Sequence, residues 1–357
     1  MVNQLFHSLY QIIMEFKLTD EEIQEIESQI SLNINNLQEF EPFKLETFFP
    51  DIQDIEDKVL TNFMINFTDQ EREQIIHNAR KTFKDAIYHG DILEQNRHGL
   101  GKMEYHSGRI YYGEWKADKR YGLGLEMYPD GNSYRGEFEQ GLPSGYGIYT
   151  WKTGESYKGN WKYGKKSGLG IFEKPGESYI GNWDNGLQHG KGKFLVSDNR
   201  SYDGFWYKGK KHGLGFEVQE DGSSYFGFYK RNRPHGFGRL IDKNQNIYTG
   251  EFNKGLKHGI GKIVTKDEDI FLGHFINDHK EGKFKIVYSQ GGEYNGEVLN
   301  NMRFGSGHMK WPDGTVYSGR WQDNEPYGLG TLSNPNGSLI TGSFNGSLLS
   351  KVDPITN

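Results

Sequence analysis

Two periodicities divide the chain. Up to residue 87 the apolar residues return every three or four positions: Leu5, Leu9, Ile12 and Phe16, then Ile23, Ile26 and Ile30, then Ile52, Ile55 and Val59, then Ile75, Ile76, Ala79 and Phe83. That spacing predicts four helices. Thr19 with Glu22 and Thr68 with Glu71 have the form of capping boxes, in which a hydroxyl and a carboxylate satisfy orphan backbone donors at a helix start. From Tyr88 the period becomes two. Tyr157, Gly159 and Trp161 alternate with Lys158 and Asn160, as on one face of a strand, and Gly168 and Gly170 repeat the alternation on the next segment.

The period-two segments themselves recur. Gly90, Gly113, Gly136 and Gly159, then Gly181, Gly204 and the rest through Gly342, follow one another at 23 residues, with a single spacing of 22 between Gly159 and Gly181. A fixed period of this kind marks a repeat architecture. Turn residues such as Lys165-Lys166 and Pro175-Gly176 separate the two segments of each unit, so each unit reads as a hairpin. Glycine inside a strand weakens it unless something fills the space; here the expectation is that Tyr and Trp rings lie on the glycines. One hairpin cannot bury those rings, so units stack into a continuous sheet. The predicted fold is mostly β: an elongated single-layer antiparallel sheet of about eleven hairpins over residues 88–346, after an acidic helical region at 1–87 and before a C-terminal tail at 347–357.

Composition agrees with a thin sheet. Among 357 residues there are 48 glycines and only 34% hydrophobic residues, yet 15% aromatics, which is not the make-up of a disordered linker. Charge divides at the same place as the periodicity: residues 1–87 hold 17 acidic and 7 basic side chains, the remainder 31 and 35. There is no cysteine, which removes disulfides, thiolate metal sites and cysteine nucleophiles. Met1 to Phe16 has no Lys or Arg, unlike a secretory or transit peptide, and no run reaches the roughly 18 apolar residues of a membrane span. The expectation is a soluble intracellular protein of the cytoplasm or cytoskeleton with no transmembrane segment.

The repeat resembles the membrane occupation and recognition nexus (MORN) family, whose unit is similar to Tyr-x-Gly-x-Trp followed by Gly-x-Gly and a Pro-Asp-Gly turn. Trp311-Pro312-Asp313-Gly314-Thr315-Val316-Tyr317-Ser318-Gly319-Arg320-Trp321 is close to that pattern. Departures are Phe271 for the Tyr, Phe284 for the second glycine after Gly282, Val298 for the Trp, and Ile340 in the last unit. The resemblance implies an extended scaffold in cytoskeletal, ciliary or membrane-contact assemblies, an architecture more than an activity.

No motif for catalysis stands out. The Gly-x-Gly pairs lack the third glycine and following helix of a dinucleotide fold, and neither a phosphate-binding loop nor a Gly-x-Ser-x-Gly elbow occurs. Asp51, Asp54 and Asp57 fall on one helix face without the glycine of a calcium loop. His98, His189, His212, His235 and His258 each precede a Gly-x-Gly pair, but successive hairpins lie about 10 Å apart, too far for a shared zinc. The reading is therefore no enzyme, no cofactor, no metal and no nucleic-acid partner.

What remains is surface. Turns before the Gly-x-Gly pairs are basic, with Lys165, Lys166, Lys210, Lys211, Arg231 and Arg233 as candidate contacts, while the opposite turns carry Asp130, Asp198, Asp221 and Asp313. This predicts one positive and one negative edge. An apolar line of Leu100, Leu123, Leu169, Leu214, Phe237, Ile260 and Leu329 falls on the face away from the rings. The expected function is a structural scaffold for other proteins of a large complex, cytoskeletal or ciliary and similar to a radial spoke. The alternatives are a weak anionic-lipid contact through the basic edge, or a targeting subunit for a separate enzyme.

Overall fold

The computed structural model describes residues 75–346 and the strand Leu348–Val352. Every regular element among them is a β-strand. They fall into two units, residues 75–210 and 211–352, each an antiparallel meander in which strands adjacent in the chain pair. Substantial strand packing within each unit joins only chain neighbours, so each is a single layer.

One unit shows why the repeat folds this way. Strand Ile247–Asn253 pairs with Leu256–Val264, setting Tyr248 opposite Ile263 and Gly250 opposite Gly261. Between them Lys254 and Gly255 take φ of 54° and 95°, both left-handed, as a two-residue hairpin turn requires. Beyond Gly250 the register slips before Phe252 meets Lys257. Gly259 at φ 67° sits in that bulge, and the Glu251 carboxylate accepts a hydrogen bond from Ile260 N at 3.1 Å across it. The two glycines of a Gly-x-Gly pair thus have separate jobs: the first makes the bulge, and the second lies beneath the tyrosine.

The core is a herringbone of rings on one face. Tyr248 lies over Gly250 and Gly261, and its hydroxyl donates to Glu251 O at 2.8 Å. Phe252 and Phe275 stand edge-on against it at 5.1 and 5.2 Å. The same arrangement joins Tyr134 to Phe138 and Trp161 at 5.0 and 5.3 Å in the other unit. Edge-to-face packing is favourable for aromatic quadrupoles, and it leaves Tyr111, Tyr134, Tyr157 and Tyr317 with no exposed surface. Burial pushes these hydroxyls above the ordinary tyrosine range. The expectation that tyrosine and tryptophan alike lie on glycine is corrected in one respect. Tyrosines cover the glycines, whereas Trp115, Trp161 and Trp206 stand on edge and donate their indole N–H to Gly101, Gly147 and Gly192 O at 3.0–3.1 Å.

Both ends of the sheet differ from expectation. The helix read from Ile75, Ile76, Ala79 and Phe83 is instead the strand Ile76–Thr82, antiparallel to Ala86–Leu93, so the sheet begins well before residue 88. The cause is a bulge: Asn78 has φ of 56° and the register slips between Ile76 and Ala79. An extra residue in a period of two makes a spacing of three, which mimics a helix. The other three helices and both capping boxes lie outside the described residues. Past residue 346, Leu348–Val352 pairs with Leu339–Asn345 and extends the sheet into the expected tail.

The irregular unit is internally compensated. Phe284 pairs with Gly273, and its ring occupies the place over that glycine which a tyrosine from the glycine's own strand fills elsewhere. It is 3% exposed and packs edge-on to Phe275 at 5.4 Å. Phe271, at the tyrosine position, is only partly buried. The ring has moved to the opposite strand.

Candidate functional site

Two faces and two edges are available for chemistry. The ring face carries a second row, of cations. In most units register puts the second residue after the tight turn opposite an aromatic residue, as Lys166 is opposite Trp161 and Lys257 opposite Phe252, while Arg97 and Arg303 stand opposite Ile92 and Val298. Arg97 lies 4.3 Å from the Trp115 ring, Arg303 lies 4.4 Å from Trp321, and Lys280 lies 4.2 Å from Phe271. These are cation–π distances. Lys166 is enclosed most fully, with its ammonium 4.4–4.9 Å from the rings of Trp151, Tyr157, Phe172 and Trp183. Burial among them lowers its pKa to about 8.

Two ring-face carboxylates break the apolar row. Glu126, 1% exposed, is held by Arg109 and Arg120 and accepts from the Tyr128 hydroxyl at 2.9 Å. Glu217 is paired with Lys211 at 2.5 Å and accepts from the Tyr229 hydroxyl at 2.7 Å. Both are neutralised internally.

The predicted basic edge therefore divides. Lys165, Lys210, Arg231 and Arg233 are exposed at tight turns, whereas Lys166 and Lys211 turn onto the rings. On the opposite edge Asp130, Asp198, Asp221 and Asp313 each accept a hydrogen bond from the backbone N–H two residues on, at 2.8–3.2 Å. Those carboxylates build their own turns; hydrogen bonding to Arg200, Ser223 and Thr315 holds Asp198, Asp221 and Asp313 below the ordinary range. The apolar line lies on the back face as expected, unevenly: Leu214 is 2% exposed, Leu169 and Phe237 are half-buried, and Leu329 is 68% exposed. Lys165, Lys166, Lys210 and Leu169 belong to one unit, and Lys211, Leu214, Arg231, Arg233 and Phe237 to the other.

Two features escaped the sequence reading. One is the cation row, whose signal was present: Arg97, Arg120, Lys166, Lys211, Lys257 and Arg303 each stand two residues before the first glycine of a pair, and Lys280 stands two before Gly282 of the irregular unit. The other is a hollow of about 430 Å³ on the back face of the irregular unit, lined by Leu272, Lys283, Lys285, Asn295, Glu297 and Ser306. Among the described residues no group of three or more His, Asp and Glu converges as a metal site would require.

The MORN repeat model matches ten segments: 88–108, 111–133, 134–156, 157–176, 179–199, 202–224, 225–247, 248–269, 294–316 and 317–339. These span more than half of the chain, which therefore belongs to the MORN repeat family. The longest gap between matched segments, residues 270–293, is the unit with the transposed ring. No curated protein matches the sequence. Among solved structures, the Drosophila melanogaster SAS-4 (dCPAP) TCP domain, in complex with a proline-rich motif of Ana2, aligns at 10% identity and TM-score 0.29, covering 44% of this chain and 85% of that one. The TCP10 domain of Danio rerio CPAP aligns at 12% and 0.14, covering 74% and 94%. Virginiamycin B lyase from Staphylococcus aureus, a catalytically inactive form with quinupristin, aligns at 12% and 0.14, covering 78% and 86%.

Proposed function

We propose that this chain is a non-enzymatic scaffold that holds other proteins of a multiprotein assembly through the exposed tight-turn edge of its MORN repeats. The observation that carries this reading is the division of labour between surfaces. Rings and their cations are packed against one another, so the ring face is structural. The tight-turn edge instead presents Lys119, Lys165 and Lys210 to solvent on alternate hairpins of residues 75–210, roughly 20 Å apart, and Arg231 and Arg233 at one turn of residues 211–352. Exposed charges are weak singly, each contributing under about 1 kcal/mol, but an array matched to a partner's spacing gains avidity.

Family membership supports an interaction role with protein or membrane. The cytoskeletal or ciliary setting, and a cytoplasmic location, extend this reading by resemblance alone. A second reading, contact with anionic lipid through the same edge, is favoured by those exposed cations; no helix among the described residues is long and apolar enough to cross a membrane. Affinity purification of the tagged chain, coupled to mass spectrometry and vesicle flotation, separates the two. Replacing Lys119, Lys165, Lys210, Arg231 and Arg233 with Gln should abolish protein capture at low salt. Unchanged capture refutes the edge reading, and loss of vesicle binding without loss of protein partners favours lipid.

A further inference from the structure

The tight-turn edge of residues 75–210 is not uniformly basic. Across their turns Lys116 faces Lys119, and Lys162 faces Lys165. In the hairpins that alternate with these, Glu139 faces Leu142 and Asp184 faces Leu187. The first turn carries Leu93 and Glu94, and the sixth carries Lys208 and Lys210. Taken in order, acidic turns bearing a leucine alternate strictly with dibasic turns, at a step of about 10 Å per hairpin, and the whole row belongs to one unit. Asp118, in the second turn, is held by Arg97 at 2.9 Å and leaves Lys116 and Lys119 their positive charge. The apolar members of the row reach water: Leu142 and Leu187 are 45% and 47% exposed, and Tyr163 between them is 67% exposed. Leu142 leans toward Gly164 and Leu187 toward Gly209, so each extends over the glycine of the next dibasic turn. Lys116, Lys119, Glu139, Lys162, Lys165 and Asp184 are all exposed, and among the described residues no ion pair joins one turn of the row to the next.

A uniformly anionic partner would be repelled at every second turn. The partner that fits must alternate with opposite phase at the same step, and the row itself does so when reversed. Consider two copies placed edge to edge and antiparallel, about a twofold axis normal to the sheet between the Gln140-Gly141 and Tyr163-Gly164 turns. Glu139 and Leu142 then meet Lys162 and Lys165, while Lys116 and Lys119 meet Asp184 and Leu187. The outer turns follow the same rule, with Glu94 toward Lys208 and Lys210. A parallel pair in register, or an antiparallel pair whose axis passes through a turn, would set like charges together. We propose that this chain self-associates through the tight-turn edge of residues 93–210, isologously and in that antiparallel register. The inference rests on the reading of the tight-turn edge as the interacting surface, and it names the occupant of this stretch; Arg231 and Arg233 lie outside the row and serve other proteins. Burial of Leu142, Leu187 and Tyr163 supplies the attraction, and the alternating charges set register and direction. Sheet twist carries the outer turns away from the axis, so the four inner turns hold most of the contact.

The test uses the full chain. Sedimentation equilibrium is measured at low and high salt for the wild type, for Lys116→Glu/Lys119→Glu/Lys162→Glu/Lys165→Glu, for Glu139→Lys/Asp184→Lys, and for an equimolar mixture of the two variants. The expected result is a wild-type dimer that weakens with salt, a loss of affinity on the order of tenfold or more in each variant alone, and recovery in the mixture, which also shows that both variants are folded. Register is read by disulfide trapping, since the chain has no cysteine of its own. A Leu142→Cys chain mixed with a Lys165→Cys chain should link on oxidation, whereas Leu142→Cys chains alone should not, because their cysteines would lie about one hairpin step apart across the axis. A monomeric wild type, dimers that persist unchanged in either charge variant, linking of Leu142→Cys chains to one another, or failure of the mixed chains to link would overturn the proposal. A monomeric wild type would leave the edge reading itself standing, because capture of other proteins is scored separately with the five-residue edge variant.

Discussion

Gly250→Ala tests the physical basis of the sheet. A methyl group there would lie 2.6 Å from Gly261 Cα, 2.7 Å from Ile260 O and 2.6 Å from the Tyr248 hydroxyl. Favourable carbon contacts lie near 3.5–4.0 Å, so about 1 Å must be gained, and two of the three neighbours are backbone. The strands Ile247–Asn253 and Leu256–Val264 would have to part. Overpacking of this kind costs roughly 1–3 kcal/mol, and two weakened ladder bonds add about 1 kcal/mol each, for a total of about 3–5 kcal/mol. Gly261→Ala differs, because its methyl meets only the Tyr248 ring and hydroxyl among its nearest neighbours. That ring can be removed. In a Tyr248→Leu background the cost of Gly261→Ala should fall below about 0.5 kcal/mol, whereas Gly250→Ala should still cost about 2 kcal/mol or more. Lys254→Ala, at an exposed turn, is the control. Urea unfolding by circular dichroism gives the midpoints, and hydrogen exchange of the 247–264 ladder gives the local value, which matters because repeat arrays need not unfold in one step. Equal midpoints for Gly250→Ala and Lys254→Ala, or full relief of Gly250→Ala by Tyr248→Leu, would refute the close-approach argument.

Lys166 predicts a stability that rises with pH. Its folded pKa of about 8 lies below the unfolded value, so between about pH 8 and 9.5 the unfolded chain holds a proton that the folded chain releases, and the gain should approach about 1–2 kcal/mol after solvent screening. Lys166→Met should flatten this slope in urea titrations; above about pH 10 the buried tyrosines, whose folded pKa values are raised, reverse it in both proteins. Phe284→Gly should cost about 3–5 kcal/mol by opening a cavity over Gly273, and adding Phe271→Tyr should recover most of that by rebuilding the regular unit, as read from denaturant midpoints. The five-residue edge variant, by contrast, should melt within about 1 °C of wild type, since exposed charges contribute little to stability.

Much of this molecule was legible in its sequence because the information is local. Strand alternation, glycine spacing and turn residues repeat every 23 residues, and a pattern repeated that often specifies hairpins, their order and their antiparallel pairing. Tertiary structure decided what depends on register between strands. A bulge at Asn78 turned an apparent helix into the strand Ile76–Thr82. Pairing across each tight turn sent Lys166 onto four rings while its neighbour Lys165 stayed in water, a distinction invisible to a count of basic turns. The substitution of Phe284 for a glycine looked like decay until Gly273 was found opposite it, because a ring lost from one strand can be replaced from the other only where the two strands meet. Likewise the hollow at Leu272 is built from several strands, and no single repeat encodes it.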